Sequence, residues 1–485
     1  MKLYVLSEGA KEEAAIDLIR KTIEDTPYEG KVYIAGGFVR DELLGKPSKD
    51  IDLVIDEEDG GIKFANWICN KLGIYKENSN PVVYPKFGTA MFTFRHISNI
   101  GHDLSGLDIE CVKPRKDESA TGKSRKDVIT AQGTMEDDAK RRDLTINALY
   151  KNVTTGEILD PTGMGIRDIK NRAIRTPIDP DETFGYPPVG DPLRMLRVIR
   201  FFAKLGYKID DSVLDGIQKN VEKMSTISAE RIATEFSKMM ISERPVESIE
   251  LLMQTGLIDY VIPELKELAG LEQGIYHDKD AFGHTMDVLS KTPPRLTTRL
   301  AALLHDIAKP DTRTPHPRKH YEFIGHETAG ADKARKILKR LKFPNDIVNA
   351  VVALIDRHMA LRSGRNGEIT DKTLRRFRNK CQELGIELDD ALDLMQADHE
   401  AHPGADVSVF NLIRRRYEVM ATTEAPTEKD IISGKDIMDA FGIKQGPTIG
   451  TMKKYAKELQ LDDPAIDKET ILLKLKEKFD PREDE

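Results

Sequence analysis

The sequence predicts an α+β chain, a small mixed-sheet head followed by an all-α body. Two observations carry this reading. From about residue 30 to 150, short apolar runs with two-residue alternation are mixed with helical stretches. Beyond residue 160 the strand signals fade and helical periodicity dominates to the end. The length of 485 residues adds that roughly three or four domains of about 100–200 residues should be present. We place them at residues 1–150, 151–268, 269–402 and 403–485, using the loss of strands, Pro263 and the His402-Pro403-Gly404 break.

Composition bounds the partners. The net charge of −8 argues against indiscriminate, whole-surface affinity for nucleic acid but leaves room for a local basic groove. Met1 to Asp25 reads as a charged amphipathic helix, with no signal peptide and no apolar run long enough to span a bilayer. Cys69, Cys111 and Cys381 are odd in number and widely spaced, as expected of reduced thiols. A cytoplasmic protein without membrane contact is the expectation.

Tyr33-Ile34-Ala35-Gly36-Gly37-Phe38-Val39-Arg40-Asp41 reads as a glycine turn entering a helix. Lys49-Asp50-Ile51-Asp52-Leu53-Val54-Ile55 reads as a strand. Alternation puts Asp50 and Asp52 on one face, with Ile51, Leu53 and Ile55 turned into a core. Two like charges side by side are unfavourable unless a cation sits between them, and hard oxygen ligands beside phosphates suit Mg²⁺. Gly36 and Gly37 let the backbone approach a phosphate, and helix-entering N–H groups bind anions. Arg40 can add a charge-assisted fork, with Asp41 either pairing with it or capping the turn. Phosphoryl or nucleotidyl transfer is the chemistry this pattern predicts.

Phe87–Phe94 and Leu107–Val112 read as further strands. Glu110 and Asp108 share a face of the second, and either could supply a third carboxylate. Residues 113–130, with lysine, arginine and glycine but no hydrophobic period, read as a mobile loop.

After the Pro177–Pro192 break comes Asp191-Pro192-Leu193-Arg194, with Arg197 and Arg200 at one-turn spacing. Asp191 before Pro192 is a helix start, and Arg194 lies one turn on. Arginine only donates hydrogen bonds and ionised aspartate only accepts. The pairing edges of cytosine and adenine complement that pair, whereas guanine and uracil present donor and acceptor in the opposite order. Each unpaired buried polar group costs about 1–3 kcal/mol, so two mismatches reject a base strongly.

A second constellation comprises His284, His305-Asp306 and Asp398, the dipeptide following the apolar run Leu300–Leu304 in a helix expected to continue to Lys309-Pro310. Imidazoles and carboxylates converging from several helices make a hydrolytic metal site plausible.

These motifs resemble those of the polymerase-beta-like nucleotidyltransferases, specifically bacterial CCA-adding enzymes and poly(A) polymerases, over about residues 30 to 480. The resemblance implies Asp50 and Asp52 as catalytic Mg²⁺ ligands, with Glu110, ahead of Arg115, as the third acid. Lys140-Arg141-Arg142-Asp143-Leu144-Thr145-Ile146-Asn147-Ala148 is similar to a family signature. It implies that Arg142 or Arg141 reaches the nucleotide and Asn147 a ribose or phosphate oxygen. Asp191, Arg194, Arg197 and Arg200 look like the protein-templating helix of class II enzymes, except that Gly190 replaces the leading glutamate after an insertion, Tyr186–Val189. Arg231 to Lys238 looks like the neck motif, with Arg231 and Glu235 expected to serve helix packing.

The second constellation resembles an HD phosphohydrolase domain. It implies a divalent metal held by His284, His305, Asp306 and Asp398, and His326 and His358 fall where extra ligands permit a second ion. Lys309 would touch a phosphate, and such domains act on RNA ends. Ile432–Met438 and Ile443–Gly450 look like the tail of HD-containing CCA-adding enzymes. The implied activity is addition of CMP, CMP and AMP to a tRNA 3′ end from CTP and ATP. A poly(A), CC-only or A-only enzyme is the near alternative, and an HD metal phosphohydrolase the distant one.

Overall fold

The computed structural model describes residues 9–48, 50–77, 79–85, 88–95, 103–119, 128–274, 278–361, 369–423, 431–462 and 466–479. The chain divides into two compact units, Met1–Ile262 and Pro263–Glu485.

The first unit opens with a helix, Ala10–Ile23, and a mixed sheet. Its strands are β1 (Val32–Ala35), β2 (Ile51–Ile55), β3 (Val82–Tyr84), β4 (Thr89–Thr93), β5 (Asp108–Val112), β8 (Tyr150–Asn152) and β9 (Ile158–Leu159), while β6 (Arg115–Ser119) and β7 (Val128–Gln132) stand apart. The spatial order is β3-β4-β5-β2-β1-β8-β9. Only β2 and β5 are parallel, with Asp52 opposite Glu110; the other pairs in this sheet are antiparallel. Ile51, Leu53 and Ile55 are buried as the alternation predicts. The Gly60–Lys71 helix packs on β2, β4 and β5, and buries Phe64, Ala65 and Ile68. Val54, on the face of Asp52, is buried as well, in a second cluster with Ala35, Met135, Ala139, Ala148 and Tyr150. Each large apolar side chain fully removed from water contributes about 1.5–3 kcal/mol. Along that face Val54 is covered, Asp52 is half-buried and Asp50 is exposed.

Several boundaries differ from expectation. β2 begins at Ile51, so Asp50 immediately precedes the strand, and Lys49 lies outside the described residues. The strand read over Phe87–Phe94 spans Thr89–Thr93, with Phe87 outside the described residues. The segment 113–130 is not simply a loop, because β6 and β7 pair across it as an antiparallel ribbon from Arg115↔Gln132 to Ser119↔Val128. A polar ribbon such as Arg-Lys-Asp-Glu-Ser has no hydrophobic period to announce it. Residues 120–127 lie outside the described residues.

The helical body is punctuated by a parallel two-residue ladder, Ala173–Ile174 with Lys208–Ile209, too short for a periodicity signal. Its central helix, Leu193–Leu205, buries Leu193, Leu196, Val198 and Ile199 and stops at Gly206 in the left-handed region. The Ala229–Met240 helix packs against it.

In the second unit the apolar helix Leu296–Leu304 ends at its last leucine, and Lys309–Thr312 forms a separate single turn rather than its continuation. A short hairpin, Thr314–His316 with His320–Glu322, follows. Helices His326–Arg340, Asn345–Arg357, Asp371–Leu384 and Leu388–Glu400 continue the unit. The final helices share a small core of Ile432, Ile437, Met452, Ile471 and Leu475. No helix among the described residues is long and apolar enough to cross a membrane.

Candidate functional site

Strand pairing builds the acidic face of the head. Asp52 is half-buried and sits opposite Glu110 on the neighbouring parallel strand. Burial pushes the Asp52 carboxyl up, Arg142 opposes that, and Asp50 adds to it. Glu110 is raised by burial first, then by Asp52, against Arg115 and Arg142. Carboxylates destabilised by burial and by one another fit a divalent cation. Asp108 instead accepts a hydrogen bond from Thr93 Oγ1 at 2.6 Å, which favours Glu110 over Asp108 as the third acid.

Beside this face the chain turns at Gly36, φ 71°, into the Gly37–Leu43 helix. A Cβ at Gly36 would lie 2.9 Å from Arg142 Nη1, so only glycine admits that guanidinium. The Gly36 N–H is already given to the Leu149 carbonyl at 3.0 Å, so an anion at this turn would have to be met by the amides of Gly37 and its successors. Arg142 lies over the Tyr150 ring and donates to Asp138 Oδ2 at 3.1–3.2 Å. Asp138 and Tyr150, which sequence reasoning missed, fix it.

Arg40, expected to reach a triphosphate, is instead used within the fold: it is 3% exposed, held by Asp41 at 2.7–2.8 Å and by Asn147 Oδ1. Asn147 gives its amide to Asp143 Oδ1 at 2.9 Å, so both ends of that side chain have protein partners. A buried guanidinium needs its donors satisfied, and a nearby carboxylate and amide do so more cheaply than an intermittent ligand.

The arginines of the Leu193–Leu205 helix each have an acid or carbonyl beneath them. Asp191, one residue ahead of the N-cap Pro192 rather than the cap itself, accepts from the Leu193 amide at 3.2 Å and from Arg231 at 2.7 Å. Arg194 donates to the carbonyls of Val189 (2.9 Å), Thr183 and Arg141. Arg197 pairs with Asp143 at 2.8 Å and with Glu235 at 3.5 Å, and Arg200 with Glu235 and the Phe201 ring at 4.0 Å. Arg231 and Glu235 therefore do more than pack helices; they hold Asp191 and the arginines of the Leu193–Leu205 helix. A side chain at Gly190 would run into the Gly185 carbonyl and stand 2.6 Å from that of Glu182, so the backbone has no room for the glutamate it replaces.

Burial alone would raise the Asp143 carboxyl, but Arg197 and the Asn147 amide bring it down to about 2. A carboxyl depressed below its unfolded value of about 3.9 stabilises the fold above pH 4, and that stability fades as pH falls towards 2. Acid denaturation of Asp143→Asn should accordingly show about 2 kcal/mol less dependence on pH between 4 and 2 than wild type.

In the second unit, His284, His305, Asp306, His326, His358 and Asp398 converge from five places in the chain, and all are buried. His284 Nε2 lies 3.1 Å from Asp398 Oδ1 and 3.6 Å from Asp306 Oδ2, and His326 Nε2 lies 3.5 Å from Asp306 Oδ1. Three rings use Nδ1 on the carbonyl three residues earlier: His305 on Ala302 (2.8 Å), His326 on Phe323 (2.7 Å) and His358 on Ile355 (2.6 Å). An Nδ1–H committed there leaves the Nε2 lone pair facing inward. His305 Nε2 then sits 3.0 Å from Asp306 Oδ2 without hydrogen-bond alignment, a lone pair against a carboxylate that a cation would reconcile.

Two ligand groups share Asp306: His284-His305-Asp306 and Asp306-His326-His358, each with its ligand atoms within 4.8 Å. A third, His284-Asp398-His402, includes a histidine that sequence reasoning missed although it lies one helical turn past Asp398. Groups of three acidic, histidine or cysteine ligands this tight occur, among the described residues, only here. Burial and then His305 push His358 down to about 4, which keeps it neutral and able to ligate near pH 7. Burial opposes ionisation of Asp306, but His305 and Lys309 hold it well below the usual range, Lys309 Nζ lying 2.6 Å away. A cavity of about 350 Å³ opens beside these groups, walled by Tyr321, Phe323, Ile324 and Met359.

The arginine run at 414–416 has intrachain partners: Arg414 binds Asp389 (3.1 Å) and Asp393, and Arg416 binds Asp371 (2.8 Å). The tail motif at Ser433 is a capping box with Asp436, closed by Gly442.

Three family profiles match the chain: the poly A polymerase head domain over residues 32–175, the region described as Probable RNA and SrmB- binding site of polymerase A over 206–268, and the HD domain over 281–440. The A-adding tRNA nucleotidyltransferase of Deinococcus radiodurans is 30% identical over 354 residues, covering 70% of this chain and 78% of its own. The CC-adding tRNA nucleotidyltransferase of Thermus thermophilus is 29% identical over 355 residues, covering 70% and 77%. The fold matches the Bacillus stearothermophilus CCA-adding enzyme in complex with CTP at a TM-score of 0.66 and 21% identity, across 97% of this chain and 98% of that one. With the acidic head sheet, the arginine-bearing helix and the HD cluster in one sequence order, the chain belongs to the tRNA nucleotidyltransferase/poly(A) polymerase family.

Proposed function

We propose that the chain extends the 3′ end of tRNA with CMP, CMP and AMP, drawing on CTP and ATP. The observation that carries the reading is the placement of Asp52 opposite Glu110, with Asp50 one step ahead of β2, beside the glycine turn. Asp50 and Asp52 would hold Mg²⁺, with Glu110 completing the oxygen donors. When bound, the metal lowers the pKa of the attacking ribose hydroxyl and neutralises the triphosphate. The hydroxyl oxygen bonds to the α-phosphorus, the bond to the β-bridging oxygen breaks, pyrophosphate leaves and the hydroxyl proton passes to water. Gly37 and the following amides, with Arg142 beside Asp52, orient the phosphates. Arg40 and Asn147 support them from below.

Base choice falls to Asp191 and Arg194. Their protein partners, Arg231 and three backbone carbonyls, satisfy both groups until a base takes over those hydrogen bonds. C and A can replace these partners in kind, whereas G and U meet donor with donor and acceptor with acceptor. Glu235 and Asp143 position Arg197 and Arg200. Relatives named multifunctional CCA proteins support a site serving both bases.

Incubation with a tRNA lacking CCA and one labelled nucleotide at a time tests this. C and A should be incorporated, and U and G not. Incorporation of all four would remove the templating argument.

The second unit supports an additional reading, metal-dependent phosphohydrolysis of RNA ends. His284, His305, Asp306 and Asp398, with His326 and His358, would hold divalent metal, and Lys309, 2.6 Å from Asp306, would meet the phosphate. This activity would accompany tRNA extension.

A further inference from the structure

Apart from the Val189 carbonyl, the insertion ahead of the Leu193–Leu205 helix has no role in the chemistry above, yet it is firmly placed. Its ends meet at Gly185 and Gly190, which approach too closely for a side chain at position 190. Gly190 N–H donates to the Tyr186 carbonyl at 3.2 Å, and the Val189 carbonyl is bound by Arg194 at 2.9 Å. Pro187 and Pro188 between them fix their own φ angles. The loop is therefore closed by its own backbone and, until a base takes over the Val189 bond, fastened as well to Arg194, which in turn holds the Arg141 carbonyl next to Arg142.

This fastened loop projects an aromatic ring. Tyr186 is 48% exposed. Lys223 Nζ lies 5.4 Å from the ring centroid and is itself positioned by Asn220 Oδ1 at 2.5 Å. Lys223 falls within the segment 206–268 that matches the RNA-binding region of the family. A buried aromatic here would be packing; an exposed one on a pinned loop, with a cation over one face of its ring, offers the opposite face as a stacking platform for an unpaired base beside a phosphate.

We propose that Tyr186 stacks on the last unpaired base of the tRNA 3′ end, with Lys223 on the adjoining phosphate, so that the growing strand is positioned while Asp191 and Arg194 read the incoming base. Stacking tolerates any base, which suits a primer whose terminal base changes at each addition. The proposal names a binding element for the nucleic acid, distinct from the nucleotide site, and it rests on the tRNA-extension reading above.

The test is steady-state extension by the full chain, varying tRNA and nucleotide separately. Removing one base–aromatic stack weakens binding by roughly tenfold to a hundredfold. Tyr186→Ala should therefore raise KM for tRNA by about tenfold or more and leave KM for CTP and ATP unchanged, while Tyr186→Phe retains wild-type values. A tRNA whose 3′-terminal nucleotide is abasic should be bound poorly by wild type and no worse by Tyr186→Ala, because the stacking partner is already gone. An unchanged KM for tRNA, or a rise in KM for CTP or ATP instead, overturns the proposal. Equal additional loss with the abasic tRNA overturns it as well. Equal thermal unfolding of wild type and variants shows that folding is not the cause. If wild type itself does not extend tRNA, the functional reading fails; if it extends tRNA and Tyr186→Ala matches it, this inference alone fails.

Discussion

Asp52→Ala should abolish extension of tRNA, lowering the rate by about a thousandfold or more. A carboxylate that binds the catalytic metal contributes several kcal/mol of charge stabilisation in the transition state, and each 1.4 kcal/mol is tenfold in rate. The side chain is half-buried beside Glu110, with burial and Asp50 both resisting its ionisation. Its removal relieves repulsion, so the folded protein should lose little stability, and thermal unfolding alongside the extension assay separates the two effects. Hydrolysis by the HD centre should persist, because its ligands belong to the other compact unit. Extension by Asp52→Ala at the wild-type rate, or loss of hydrolysis with extension retained, would transfer the principal activity to the second unit.

Asp306→Asn should have the complementary outcome. Asp306 is common to two of the three ligand groups, and it is ion-paired with buried Lys309. The variant should lose most of the divalent metal that purifies with the protein, measured by elemental analysis after dialysis, and all hydrolysis of RNA ends. It should also be less stable, by about 3–5 kcal/mol, since one partner of a buried ion pair is left uncompensated. tRNA extension at a temperature where the variant stays folded should be unaffected. Metal content equal to wild type would remove Asp306 from the ligand set.

How far the residues announced these sites depends on the kind of signal each leaves. Asp50 and Asp52 were legible because a strand's two-residue period gives a local rule for shared faces. His305-Asp306 was legible as a dipeptide after an apolar run. Glu110 and Asp108 were not separable by alternation, since both point the same way; the register sets Glu110 opposite Asp52, and Thr93 occupies Asp108, which favours Glu110. Arg40, Arg194 and Asp191 carried the right charge for ligand contact, but charge does not reveal that partners within the fold already satisfy them. The β6–β7 ribbon escaped because its strands are polar.

The sequence by itself determined the order of the parts: a strand-bearing head with paired acids, a helix of arginines at one-turn spacing, and histidines and aspartates poised for metal. These follow from short-range periodicity and residue chemistry, which local steric rules enforce wherever the chain folds. Only the tertiary structure decided that Asp52 faces Glu110, that Arg231 and Glu235 secure the reading helix, that Asp306 joins two ligand groups and that Tyr186 is held outward. The pairings around Asp52, the Leu193–Leu205 helix and Asp306 span tens of residues, and such contacts are chosen by packing and by the cost of leaving buried polar groups without partners.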